Sequence, residues 1–242
     1  MTYNVHRCLG MDGTLSPERI AAVIASRRPD IVALQELDIG RARTGRIDQA
    51  HAIARILDMR LHFHSVLNVM EEQYGDAILT ALPSRMVHAA MLPGHRRLAR
   101  IERRGALWAA ITVGGATLQV INTHLGLLAM ERIAQADALL GPDWLGNPAC
   151  RGPAVLLGDL NAIPRSRAYR RLVTHLTDAQ VAAGSTPRRA TFPARLPVLR
   201  IDHVLVGRGV RVHRAEVLST PLARVASDHR PVVVDIEIEP DA

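Results

Sequence analysis

The 242-residue sequence predicts a layered α/β sandwich with sheets inside and helices outside. Two observations carry this prediction. Apolar stretches of strand-like and helix-like period alternate along the whole chain, with no long linker, short repeat or low-complexity tract. Tight hairpin signals also join strand-like runs, as at Gly114-Gly115. Composition and the even apolar pattern agree with one globular domain over 1–242, because hydrophobic residues are 48% and charged residues 22%, which excludes a disordered chain. No apolar run approaches the roughly 20 residues that cross a bilayer. The N-terminus lacks the basic and apolar regions of a signal peptide, and Cys8 and Cys150 form neither a CxxC pair nor a disulfide framework. The expected compartment is therefore the cytoplasm.

A first strand should run up to Asn4. Only three residues precede it, so the expectation is a short strand or a start codon further upstream. Ser16-Pro17 opens a helix, with Ser16 as N-cap and Pro17 at the first helical position, and Ile20, Val23 and Ile24 form its apolar stripe. Pro29-Asp30 stops it. Ile31–Leu37 reads as a buried strand. Residues 46–58 read as a second helix, with Ile47, Ala50, Ile53, Ala54 and Leu57 on one face. Short strands are expected at 77–82, 106–113 and 118–123, a helix at 131–140, a strand at 154–157, and a helix at 166–176 capped by Ser166. Strand character returns at 201–206, 210–218 and 231–238. Two loops stand out: 93–104, which carries Arg96, Arg97, Arg100, Arg103 and Arg104, and the Pro- and Arg-rich 185–200.

The informative feature is where polar residues fall. Six clusters sit at strand ends: Asn4 and His6, Gln35 and Glu36, Asn122 and His124, Asp159 and Asn161, Asp202 and His203, and Asp228 and His229. A carboxylate at the mouth of a buried strand costs free energy unless it is paired or metal-bound. Singly, each residue has an ordinary reading. Asn4 could cap a turn, Glu36 could be a solvated strand end, His124 a core histidine and Asp202 an ion-pair partner of Arg200. Gly158-Asp159-Leu160-Asn161 is stronger, because the glycine permits close approach and Asn161 shares a face with Asp159.

Together the clusters form a kit for phosphate-ester hydrolysis. Carboxylate and amide oxygens, with little sulfur, favour Mg²⁺, or Mn²⁺ in its place, over zinc. Histidine beside aspartate orients an imidazole as acid or base. The net charge is +7, and all 30 basic residues are arginine, the residue suited to bidentate phosphate contact. Biased codon usage is the plainer main cause of a lysine-free, alanine-rich chain, so the charge suggests an anionic partner without establishing one.

The ordered segments Tyr3-Asn4-Val5-His6, Leu34-Gln35-Glu36, Tyr74-Gly75-Asp76-Ala77-Ile78-Leu79, Ile121-Asn122-Thr123-His124-Leu125, Leu157-Gly158-Asp159-Leu160-Asn161, Ile201-Asp202-His203 and Ser227-Asp228-His229-Arg230-Pro231 resemble the endonuclease/exonuclease/phosphatase superfamily over nearly the whole chain, and within it compact bacterial members. The resemblance implies a four-layer α/β/β/α sandwich of two mixed, mostly antiparallel sheets packed face to face. It implies that Glu36 is the main metal ligand, with Asn4 beside it and Asp228 completing the site. It implies that Asp159 holds or deprotonates the attacking water, that Asn161 positions the same region, and that His229, oriented by Asp202, is a second acid–base group. His124 would contact the phosphate or assist the leaving oxygen, Asn122 would support it, and Arg104 would bind substrate. One departure stands out: the family more often has Gly-Asn-Ala followed by Ser-Arg, where this chain has Gly75-Asp76-Ala77 and Thr80-Ala81.

Two function classes follow. One is a metal-dependent phosphodiesterase or phosphatase acting on nucleic acid, a phospholipid headgroup or a small phosphorylated metabolite, as a monomer without a stable protein partner. The other is a non-catalytic arginine-rich anion-binding protein, which leaves the acidic and histidine clusters unexplained. Aromatics are only 3%, which leaves few groups to stack on or wedge into DNA. No long apolar loop for membrane docking is evident in the sequence.

Overall fold

A computed structural model gives the structure of residues 1–94, 102–184 and 188–238. Twelve strands are found among them: β1 (Thr2–Asn4), β2 (Ile31–Ile39), β3 (Arg60–Val69), β4 (Glu72–Thr80), β5 (Ser84–Met91), β6 (Gly105–Val113), β7 (Ala116–His124), β8 (Ala154–Asp159), β9 (Thr177–Asp178), β10 (Asp202–Val206), β11 (Val210–Val217) and β12 (Val232–Ile238). Six helices accompany them: α1 (Pro17–Ala25), α2 (Gln49–Leu57), α3 (Ala129–Leu140), α4 (Arg167–Leu172), α5 (Ala179–Ala182) and α6 (Ala223–Ala226). The strands form two six-stranded sheets, in the orders β11-β12-β1-β2-β4-β3 and β5-β6-β7-β8-β10-β9. Only β1–β2 and β7–β8 pair in parallel among the described strands, so both sheets are mixed and mostly antiparallel, as expected.

Three apolar layers hold the sandwich. Ile20, Ile24 and Ile53 of α1 and α2 pack on Tyr3, Leu34 and Leu79 of the first sheet. Leu139 and Leu172 of α3 and α4 pack on Trp108, Ile121 and Leu156 of the second. Ala33, Ile78, Leu107, Val120, Leu157 and Val204 fill the space between the sheets. The central strands are thus covered on both faces, which is why they read as continuous apolar runs.

Local chemistry explains the element ends. The Ser16 hydroxyl accepts from Arg19 N at 3.1 Å and starts α1. Asp48 accepts from His51 N at 3.0 Å, so α2 begins two residues later than its apolar stripe suggests. Ser166 caps α4 by accepting from Tyr169 N. That helix stops at Leu172 instead of 176, because the chain turns to pair Asp178 with β10 and to place its carboxylate on Arg200 Nη1 (3.0 Å) and the Tyr169 hydroxyl (2.8 Å). Gly114 and Gly115 both take positive φ in the β6–β7 hairpin, as their sequence predicts. Strands β3 and β5, absent from the sequence prediction, lie at sheet edges, and β4 begins at Glu72 instead of 77. Their half-exposed residues give only a weak apolar signal.

Topology positions the site. The parallel strands β1, β2, β7 and β8 bring their C-terminal ends to one rim, and the antiparallel strands β6, β10 and β12 bring their starts to it. Period-two alternation then turns Asn4, Gln35, Asn122, His124, Asp159 and Asp202 toward the space between the sheets. Beneath the rim, Asn122 clamps the sheets together. Its amide donates to Leu34 O (2.9 Å) and Ala77 O (2.8 Å), and its oxygen accepts from Gln35 Nε2 (2.7 Å).

Asn122→Ala takes the Nδ2 donor from both buried carbonyls and leaves the Gln35 amide with only the Thr2 hydroxyl, 3.1 Å away. A loss of about 3 kcal/mol or more is expected in urea unfolding, with the m-value unchanged. A loss within experimental error would show that the clamp is not what couples the sheets.

Candidate active site

The rim surrounds a cleft of about 300 Å³ lined by His6, Arg7, Glu36, Arg43, Tyr74, Glu102, Arg104, His124, Leu127, Asp159, Asn161, Asp228 and His229. Asp159 lies at its centre and is buried. Its carboxylate receives Asn4 Nδ2 at 3.0 Å and Asn161 N at 2.8 Å, and lies 3.5 Å from His124 Nε2 and 3.6 Å from His229 Nε2. The close approach of β7 to β8 that this needs depends on Gly158, which has φ +144° and no room for a Cβ beside Thr123 O.

Asn4 bridges the two sheets. Its Nδ2 also donates to Glu36 Oε1 at 3.0 Å, and its Oδ1 accepts from His6 N at 3.0 Å. Glu36 reaches the cleft through a backbone irregularity. Strict alternation would send it to the helix-covered face with Leu34, but the β2–β4 register shifts between Leu34 and Leu37 and Glu36 takes φ 62°. A left-handed glutamate costs free energy, and here it aims a carboxylate at the rim.

Asp202 and Asp159 stand opposite each other in the antiparallel β8–β10 ladder, and His229 lies between them. His229 Nδ1 is 2.9 Å from Asp202 Oδ2. Burial works against the imidazolium, but the Asp202 and Asp159 carboxylates outweigh it and hold the His229 pKa up at about 10. Burial and the Asp202 charge raise the Asp159 carboxyl above the ordinary carboxylate range, against the pull of His229. Ser227 fixes this corner: its hydroxyl donates to Asn4 O (2.8 Å) and accepts from His229 N (3.2 Å). Arg200, the alternative partner for Asp202, binds Asp178 instead.

His124 differs from His229. Burial and the Arg104 charge push its pKa well down, so it is neutral. Arg104 Nη1, which can only donate, lies 3.0 Å from His124 Nδ1, and Asn161 Nδ2 lies 3.0 Å from His124 Nε2. A neutral imidazole accepts at one nitrogen only, and the charged donor prevails. Nδ1 is the acceptor, Nε2 carries the hydrogen, and that N–H faces the cleft beside Asp159. Asn161 is held by donating to Leu125 O (2.9 Å).

Of the residues predicted from sequence, Asn4, Glu36, His124, Asp159, Asn161, Asp202, Asp228 and His229 converge here. Asn122 does not: it is fully buried one step below the cleft, with its amide hydrogen-bonded between the sheets. Arg104 lines the cleft but is 7% exposed, and its Nη1 is engaged by Glu102 and His124. Arg96, Arg97 and Arg100 lie outside the described residues. Sequence reasoning missed Arg7, Arg43 and Tyr74. Arg43 pairs with Asp38 through two 2.7 Å hydrogen bonds and lies over the Tyr74 ring, a contact that no sequence spacing announces. Asp76 does not line the cleft. It is buried one step below, where the backbone N–H of Glu36 donates to it; burial, against the Arg104 charge, pushes its pKa up to about 8.

The donor set fits a hard divalent cation. Carboxylates of Glu36, Asp159 and Asp228 face one cleft without sulfur, the buried Asn4 amide donates to two of them, and ligand atoms of Asp159, Asp202 and His229 lie within 4.8 Å of one another. Asp202 Oδ1 is buried without a partner.

The endonuclease/exonuclease/phosphatase family model matches residues 1–229. The chain belongs to this family. The uncharacterized protein YbhP of Escherichia coli (strain K12) is 30% identical over 141 residues, 57% of this chain and 54% of YbhP, so the match spans about half the length of that relative. The endonuclease/exonuclease/phosphatase of Beutenbergia cavernae superposes with a TM-score of 0.75 at 23% identity, covering 98% of this chain and 70% of that one. The mannosyl-6-phosphatase Bt3783 of Bacteroides thetaiotaomicron gives 0.76 at 19% identity, with 98% of both chains covered. These structures share the endonuclease/exonuclease/phosphatase sandwich, and the activities in the family name all break phosphate esters.

Two outcomes test the electrostatics of this family member's cleft. In metal-free protein, the raised pKa of His229 lends stability that is complete below about pH 6.5 and fades as pH rises toward about 10. His229→Gln should flatten the fall in thermal midpoint over that window; parallel curves would contradict the charge assignment. An asparagine at 76 can accept the same Glu36 N–H, so the gain in thermal midpoint from Asp76→Asn should grow as pH rises from about 4 and be complete above about 8, because the wild-type carboxyl ionises readily only when unfolded. Its metal affinity should stay within about threefold of wild type, since Asp76 lies outside the cleft. A larger loss would place Asp76 in the metal site.

Proposed function

We propose that the protein is a divalent-metal-dependent phosphohydrolase that cleaves a phosphate ester by in-line attack of water. The observation that carries this reading is the convergence of Asn4, His124 and His229 on the single buried carboxylate of Asp159, with Glu36 and Asp228 on the same cleft.

Glu36, Asn4 and Asp228 would hold the ion. The Nδ1 hydrogen bond of His229 to Asp202 favours an orienting role for that pair over metal ligation. When bound, Mg²⁺ or Mn²⁺ supplies charge neutralisation at a phosphoryl oxygen. Asp159, with its raised pKa, is suited to take a proton from water near neutral pH. His229, held as imidazolium, offers charge to the phosphate and a proton to the departing oxygen. Its 3.6 Å separation from Asp159 lets the two groups exchange that proton afterwards. His124 offers a neutral Nε2–H to a phosphate oxygen, in the tautomer that Arg104 selects.

Release of nitrophenol from bis(p-nitrophenyl) phosphate should require Mg²⁺ or Mn²⁺ and stop on chelation. His229→Ala should lower kcat by about 10²–10⁴-fold. Arg104→Met should lower kcat by about 10-fold or more while changing KM little, because it acts through His124. Failure of any metal-dependent release, across this diester, plain and abasic DNA, RNA, sphingomyelin, phosphatidylglycerol and inositol phosphates, would leave the arginine-rich binding protein as the reading.

A further inference from the structure

The segments that border the cleft carry large apolar side chains that no described residue covers. Leu127 and Met130, in the segment after His124, are 67% and 78% exposed. Ile163, two residues after Asn161, is also exposed. Leu196 and Val198, 74% and 70% exposed, lie in the segment 192–199. That segment borders the same site, since the Phe192 ring lies 4.8 Å from the His229 ring and Ala194 N donates to Asp228 O at 2.6 Å.

These side chains are presented by built loops. Phe192 and Leu199 exchange backbone hydrogen bonds of 3.0 and 2.8 Å, closing a small hairpin with Leu196 toward its tip and Val198 at its neck, where Val198 N also donates to Phe192 O at 2.8 Å. Arg132 donates to the carbonyls of Gly126 and Leu127 and holds the other loop. A monomer that exposes such a rim at its functional cleft is using it for contact. The charges around it identify the contact. The three segments 125–132, 160–167 and 192–199 carry Arg132, Arg165, Arg167 and Arg195, and their only acidic residue, Glu131, is buried. Apolar tips interspersed with arginine suit the boundary of an anionic lipid layer, where the side chains enter the acyl region and the guanidinium groups stay with the phosphates. Three short tips together supply what no single long loop does.

We infer that the cleft face docks on anionic lipid membranes, which would place a headgroup phosphate at the site. The identity of what the docked cleft meets rests on the phosphohydrolase reading; the docking itself does not. The test is co-sedimentation of the full chain, in chelator, with vesicles of phosphatidylcholine alone or mixed with phosphatidylglycerol. Wild type should bind the mixed vesicles at least tenfold better than the zwitterionic ones. Leu196→Ser/Val198→Ser and Met130→Ser should each weaken that binding severalfold. The same variants should hydrolyse the soluble diester at the wild-type rate, which also reports that they fold. No binding by wild type, or undiminished binding by the variants, overturns the inference. So does wild-type self-association that the variants abolish, since the rim would then cover a second copy. Vesicle binding without metal-dependent release from any substrate of the panel above would instead defeat the phosphohydrolase reading alone.

Discussion

Two carboxylates face each other across one antiparallel pair of strands, and an imidazolium keeps them there. Asp159 and Asp202 are directly opposed on β8 and β10, an arrangement that repels unless a cation lies between. His229 supplies it, with one nitrogen toward each. The consequence extends beyond the pair. To reach this place, His229 must be delivered by the turn before β12, and Ser227 pins that turn to the end of β1 through Asn4 O. Asn4 in turn reaches back to Asp159 from the other sheet. The first strand, the last loop and the centre of the second sheet are thus closed into one ring of polar contacts. That ring is why a site can be assembled from residues more than two hundred positions apart.

Much of this was legible in the sequence, for a physical reason. Period-two alternation within a strand fixes which side chains face the partner sheet, so polar residues ending apolar runs mark a rim. Asn4, His124, Asp159 and Asp202 obey that rule, and the layered sandwich follows from mixed helical and strand runs, while its four layers are implied by the family resemblance. What alternation cannot give is the exception. Glu36 is on the wrong side by count and is rescued by a register shift that only pairing with β4 reveals. Asn122 obeys alternation but sits one step too deep, where amide groups hold sheets together instead of meeting ligands. The edge strands β3 and β5 carry half-exposed residues, and α4 is cut short by the buried Asp178–Arg200 pair, a contact between positions 22 apart.

The two histidines show how neighbours divide labour between identical side chains. Both are buried beside Asp159. One sees two carboxylates and is held charged; the other sees a guanidinium and is held neutral. A site thereby gains an acid and a neutral donor without using two residue types. Composition alone does not show this, because it makes thirty arginines look alike, whereas Arg104 is set apart by its contact with His124 Nδ1.

Asp76 illustrates the limit that such a site can bear. A further carboxylate near a phosphate-binding rim would repel the substrate if it stood in the cleft. It stands instead beneath the strained backbone of Glu36, accepting the N–H that the bulge leaves unpaired, under the influence of Arg104. An amide oxygen would serve the backbone equally well, so the charge is not required for that hydrogen bond. What makes it tolerable is that burial raises its pKa to about 8, which leaves the proton on it at neutral pH. The departure at this position therefore costs the cleft no negative charge, and the rim keeps the acid–base balance set by Asp159 and its two histidines.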